Sequence, residues 1–213
     1  MKNTGLTRIR CVEIMFFLSG LLLLATGINL LITVPHFGLS PWDSFFIALR
    51  DNFGFTIGFW MFVLNAFFLL MVLVLKRNYV SLTTVAIVIL ISVFVDTIQV
   101  WFASYLMQVP DVVAFVLGAV LVGYGIGIYV SAALGVAPQE GFMLSVSEKT
   151  GWSYRRTEIT ASLFVLLASF LLDGPIHYGT IILTIAVGLI IQLSMGQAKR
   201  LLTKIKTPKK GEM

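Results

Sequence analysis

Gly38-Leu39-Ser40-Pro41-Trp42-Asp43 returns 97 residues later, in diverged form, as Gly135-Val136-Ala137-Pro138-Gln139-Glu140. Each copy follows a long apolar segment and opens a short semi-polar stretch that closes on a glycine, Gly54 or Gly151. The same offset pairs Phe45 with Phe142, Asp51 with Glu148 and Phe67 with Phe164. Upstream, an offset of 98 pairs Gly20 with Gly118 and Gly27 with Gly125. Downstream, an offset of 96 pairs Thr84 with Thr180, Ser92 with Gly188 and Asp96 with Gln192. The chain reads as a tandem duplication with small gaps between its anchors.

The two copies lie in a very apolar chain. Of 213 residues, 58% are hydrophobic and 12% charged, against about a quarter charged in a soluble domain. Mean hydropathy is +0.97. Such a chain is expected to be an all-α polytopic membrane protein, one membrane domain over residues 1–213. The first apolar segment follows Lys2, Arg8 and Arg10, but it is too long for a signal peptide and no small-residue cleavage site follows. Cys11 is the only cysteine, which removes intramolecular disulfides and cysteine-based metal cages from consideration. The net charge of +5 does not point to nucleic acid, because the basic residues sit at the ends of apolar segments. The tail Lys199-Arg200, Lys204, Lys206, Lys209-Lys210 suits anionic lipid headgroups instead.

Segments long enough to cross about 30 Å of hydrocarbon fall at roughly 12–34, 55–75, 79–106, 111–134, 153–172 and 177–198. With an N-terminus in the cytoplasm, the inner stretches hold fourteen of the fifteen Lys and Arg residues and only Arg50 lies outside. That bias fixes the expected orientation, with both termini cytoplasmic. Three spans per copy is an odd number, so the second copy is expected upside down relative to the first. The expectation is an inverted 3+3 repeat, residues 12–106 against 111–200, followed by a basic cytoplasmic tail over 199–213. This build recurs in secondary transporters.

Residues 41–53 and 138–150 are too short to span and read as half-helices, one between the first and second spans of each repeat. Pro41 and Pro138 suit a first helical position, Ser40 suits the cap, and Asp43 and Glu140 complement the positive helix end. Local capping is one reading of those acids. The other places Trp42, Asp43, Gln139 and Glu140 along a substrate or ion pathway between the repeats. Asp96 and its counterpart Gln192 join that candidate pathway, because a carboxylate near the centre of a span costs about 2.5–3.5 kcal/mol on insertion scales. Asp96 lies toward the outer half, however, and reads equally as a cap or as reaching interfacial water. Arg155, Arg156 and Glu158 open the fifth span and read either as a positive-inside anchor or as a cytoplasmic gate or anion contact. Asn29 and Asn65 are expected to bond between helices, and Gly20, Gly27, Gly118, Gly123, Gly125 and Gly127 to permit close packing.

Enzymatic readings find little support. His36 and His177 lack further ligands at metal spacing, and Ser40 is occupied as a cap. No catalytic residue, metal or cofactor is expected.

The two cassettes, the Thr84 to Asp96 stretch, Arg155-Arg156-Thr157-Glu158, and Gly179-Thr180 with Gly188 and Gln192 resemble the YczE/YyaS/YitT family of bacterial integral membrane proteins. The likeness is to its YczE-like branch and covers nearly the whole chain. That branch typically reads Gly-x-Ser/Ala-Pro-Trp-Asp in the first motif, as Gly38 to Asp43 do. In the second it has a small residue, an acid and Gly, where this chain has Gln139, Glu140 and Gly141. The resemblance implies a multi-pass protein of the bacterial inner membrane, and some members are linked to lipopeptide production as accessory factors. The function expected is a small inverted-repeat carrier, an exporter of a small or amphipathic molecule. The alternative is a non-transporting accessory or scaffold protein supporting a membrane-associated biosynthetic or export system. The lipid bilayer and a small-molecule substrate are the expected partners, with a homodimer plausible on size.

Overall fold

The computed structural model describes residues 2–76, 81–135, 137–152 and 154–206. Long apolar segments become helices because a helix satisfies every backbone donor and acceptor within one segment. Among the described residues these are α1 (Lys2–Thr33), α2 (Pro41–Phe53), α3 (Ile57–Lys76), α4 (Leu82–Leu106), α5 (Asp111–Ser131), α6 (Pro138–Thr150), α7 (Tyr154–Leu171) and α8 (Gly179–Lys206). A single 3₁₀ turn, Pro35–Phe37, precedes α2. The order long, short, long, long thus occurs twice.

At the centre, α1 crosses α5, and four glycines set how closely. A Cβ on Gly20 would lie 2.5 Å from the Tyr129 nitrogen, and one on Gly125 2.5 Å from the Leu24 nitrogen. Gly27 and Gly118 meet in the same way, two turns along. In lipid, where burying apolar side chains gains little, such backbone contact is what holds helices together. Gly123 and Gly127 lie on the opposite face of α5 and admit Ile190 and Ser194 of α8. The six glycines therefore permit the expected close packing at two interfaces, α1 with α5 and α5 with α8. Asn29 Nδ2 bonds across the α1–α4 contact to Val95 O at 3.1 Å. Asn65 turns back onto its own helix, to Met61 O at 2.8 Å.

Most helix neighbours repeat when the halves are exchanged, except that α3 packs closely on α4 whereas α7, among the described residues, does not pack in that way on α8. α1 packs on α4 as α5 packs on α8, α3 packs on α6 as α7 packs on α2, and α2 meets α3 as α6 meets α7. Each short helix thus leans on a long helix of the other half. The turns that precede them do likewise. Gly38, at φ +113°, faces the start of α8, where a Cβ would lie 2.5 Å from the Thr180 nitrogen. Gly135 faces the start of α4, 3.0 Å from Thr83 Cβ by the same measure.

Among the described residues, five helices are long and apolar enough to cross a membrane: Arg10–Thr33, Ile57–Leu75, Leu82–Leu106, Asp111–Ser131 and Gly179–Ile205. The other expected span, α7, has eighteen residues, about 27 Å of helix, and carries Arg155, Arg156 and Glu158 near its start. Its outward face is nevertheless apolar, with Leu163, Phe164, Leu167 and Phe170 all exposed. Exposed apolar side chains on this scale are incompatible with water and fit contact with lipid tails. The basic tail differs from expectation in form, since α8 continues through Lys206; residues 207–213 lie outside the described part.

Candidate functional site at the two short helices

Helix α2 starts where its sequence says it should. The Asp43 N–H donates to Ser40 Oγ at 3.1 Å, and the Ser40 hydroxyl donates to Asp43 Oδ2 at 2.7 Å. This reciprocal pair satisfies one orphan amide and gives the carboxylate a local partner. Further along, Ser44 Oγ lies 2.8 Å from Ser169 Oγ of α7 and donates to Pro175 O at 2.8 Å. Asn52 Nδ2 donates to Leu172 O at 2.8 Å. One edge of α2 is therefore pinned to the end of α7.

Helix α6 begins differently. Ala137 at its cap offers no side-chain acceptor. The half-buried Glu140 looks back to α5, where the Tyr129 hydroxyl donates to its Oε1 at 3.1 Å. The second carboxylate oxygen, Oε2, is buried and has no hydrogen-bond partner among the described residues. Glu158 of α7 adds a like charge to its surroundings. Equivalent positions in the repeat thus hold acids that each accept one side-chain hydrogen bond, but only Glu140 keeps its second oxygen buried without a partner among the described residues.

Aromatic rings join the two helices. Phe68 of α3 is buried, its ring 5.7 Å from Trp42 and 5.1 Å from Phe142. The first turn of α2 and the second turn of α6 therefore converge on one side chain. Gln139 is half-buried in the first turn of α6, beside Glu140 in sequence.

Other candidates lie elsewhere. The Asp96 carboxylate accepts the Thr56 hydroxyl at 2.5 Å and the Gly58 N–H at 2.8 Å. In turn, Thr56 Oγ1 accepts the Phe59 N–H at 3.0 Å. Asp96 thereby closes the start of α3 from a neighbouring helix, and a Cβ on Gly58 would collide with it. A cleft of about 140 Å³ opens there, bordered by Arg50, Thr56, Asp96 and Gln99. Gln192 is exposed on α8. Arg156 and Glu158 are exposed near the start of α7, while the Arg155 side chain lies outside the described part. A larger cleft, about 280 Å³, lies between α1, α5 and α8. On its wall the Tyr124 hydroxyl donates to Gln197 Oε1 at 3.2 Å. Trp42, Asp43, Gln139 and Glu140 line neither cleft. Among the described residues, no three His, Cys, Asp or Glu side chains gather as a metal cage would require.

Sequence reasoning missed Tyr129, Phe68 and the Ser44–Ser169 pair. A signal for Tyr129 existed: a polar aromatic near the end of α5, where the first copy has only the aliphatic Leu31 and Ile32.

Residues 11–196 match a family of unknown function, DUF6198. The chain belongs to that family. It is similar to the uncharacterized membrane protein YczE of Bacillus subtilis, 35% identical over 187 residues that cover 88% of this chain and 87% of the relative. It also resembles the uncharacterized protein YyaS of Bacillus subtilis, 26% identical over 87% of this chain and 94% of the relative. An uncharacterized protein of Haemophilus influenzae is 25% identical over 90% of this chain and 86% of its own length. No solved structure matches. The family assignment and the five long apolar helices make this a multi-pass membrane protein.

Proposed function

We propose that the protein is a small membrane carrier, an exporter of a small or amphipathic molecule, built as six spans in an inverted 3+3 repeat. The observation that supports this most is the convergence of the N-terminal halves of α2 and α6 on Phe68, through Trp42 and Phe142, each helix leaning on the opposite half. Short helices that bring positive N-terminal ends to a zone between repeats are the usual means by which such carriers hold polar groups of a substrate or ion. The inverted orientation draws support from the packing of Gly38 against the start of α8 and Gly135 against the start of α4. It draws further support from the concentration of Lys and Arg in alternate connectors, which puts both termini in the cytoplasm. In this reading α7 is the sixth span, its basic start at the inner surface. Trp42, Asp43, Gln139 and Glu140 border the pathway, and the activity is transport rather than catalysis.

The test begins with metabolite profiling of a deletion strain, which requires no guess about the ligand. Compounds retained by that strain are then loaded into proteoliposomes. Flux that needs the protein and falls at least tenfold in Glu140→Gln supports the carrier; no protein-dependent flux of any retained compound overturns it.

A second reading, an accessory protein for a membrane-bound biosynthetic or export system, is favoured by one observation. The zone around Phe68 is filled by aromatic rings, and the two clefts lie away from it. A partner that co-purifies stably, and is lost on removal of residues 199–213, would favour this role over transport.

A further inference from the structure

We propose that Glu140 is a proton-binding site, and that the two acids of the duplicated cassette have parted roles: Asp43 caps a helix, whereas Glu140 takes up and releases a proton. The observation that carries it is the unequal enclosure of the second oxygen of the two carboxyls. Both Asp43 and Glu140 occupy the third position of a short helix that begins with proline. Asp43 accepts the Ser40 hydroxyl on Oδ2 at 2.7 Å, and its other oxygen is not among the buried atoms that lack a partner. Glu140 has Tyr129 on Oε1 alone, and its Oε2 reaches neither solvent nor a donor among the described residues. An ionised carboxylate oxygen placed so is costly, whereas a neutral carboxyl there loses far less. A metal cation is a poor occupant, because it needs several oxygen ligands, and Tyr129 donates rather than accepts.

The charged and titratable neighbours can be named element by element. From α5 comes Tyr129; from α7 come Glu158 and Arg156, with the Arg155 side chain outside the described part. Along α3 no ionisable residue occurs between Ile57 and Leu75, and Lys76 at its end has a side chain outside the described part. On α6 itself, Glu148 and Lys149 lie two turns further along. Tyr129 stabilises the anion by donating to it, and Glu158 opposes the anion by its like charge. The two neighbours therefore push the titration in opposite directions. For its use the site rests on the carrier reading; for its existence it does not.

Infrared spectroscopy of the full-length protein in lipid, titrated in water and in deuterated buffer, provides the test. The carbonyl band of a protonated carboxyl is expected at neutral pH, lost in Glu140→Gln and kept in Asp43→Asn. Removing the donor in Tyr129→Phe extends the band to higher pH, and removing the like charge in Glu158→Gln withdraws it to lower pH. A band absent from the unmodified protein at neutral pH, or surviving in Glu140→Gln, overturns the proposal. Should Glu140→Gln fail to fold, the opposite shifts in Tyr129→Phe and Glu158→Gln decide; two unmoved titrations overturn it. A band carried by Glu140 in a protein without flux would remove the carrier and leave the proton site. Protein-dependent flux without the band would do the reverse.

Discussion

The rings of Phe68 and Phe142 stand 5.1 Å apart with their planes inclined by 31°, joining a long helix of the first half to the short helix of the second. Trp42 meets the same ring edge-on at 5.7 Å. Replacing Phe68 by Ala removes both contacts and leaves a void where α2 and α6 converge. Truncating a buried Phe to Ala costs about 3–5 kcal/mol. The expected outcome is a marked fall in thermal midpoint, read by size exclusion after heating in detergent, with Phe68→Leu losing much less.

The crossing of α1 and α5 predicts a contrast between glycines. In Gly125→Ala the new methyl meets the backbone of Leu24, so the helices must part, at a cost of about 1–3 kcal/mol. Gly196 on α8 has open space where a methyl would stand, with nothing within 4 Å. There the same change should leave stability unchanged or raise it by up to about 1 kcal/mol, as helix propensity favours Ala. Thermal midpoints of the two variants, measured side by side, check the sign of each.

Capping makes Asp96 a residue of stability. Asp96→Ala leaves the Thr56 hydroxyl and the Gly58 N–H without their acceptor, for an expected loss of about 1–2 kcal/mol. Asp96→Asn keeps one carbonyl oxygen and should fall between Ala and the native residue. Ser40→Ala, which opens the cap of α2, should cost about 1 kcal/mol. Denaturant titration in mixed micelles reads all three, and an Asp96→Ala protein as stable as the native one would contradict this role.

Orientation can be read with single cysteines in a Cys11→Ser background. Phe53 and Lys149 are exposed near the ends of α2 and α6. Phe53→Cys should react with an impermeant maleimide added to intact cells, and Lys149→Cys only after the membrane is opened. Labelling of both from one side would remove the inverted repeat.

Much of the frame was legible in the sequence because it follows from local rules. Pro41 and Pro138 mark helix starts, Gly54 and Gly151 mark helix ends, and the structure begins and ends α2 and α6 within those marks. The glycine pairs at an offset of 98 foretold close approach, since a stripe of small residues in an apolar segment has few other uses. Asp96 shows where such reading stops. Its partners, Thr56 and Gly58, are about forty residues away in sequence, and only the packing of α4 on α3 brings them together. Glu140 shows the same for the site. From its position it matched Asp43, yet what separates the two is Tyr129, which has no counterpart in the first copy. Span counting met a physical limit at α7, where three charged residues at one end pull an apolar helix below the threshold that length and hydropathy set.

Each short helix is tethered by its chain to one half and rests against the other. A half severed from its twin would therefore keep a loose arm and lack the surface on which the other's arm lies. Displacement between the halves cannot occur as two blocks sliding along a seam, because α2 would be dragged with α7, and α6 with α3. Arm joins shoulder at Gly38 and Gly135, and Gly38 holds a backbone angle that other residues adopt only at a cost, so the first of these joints is the one least free to change its residue.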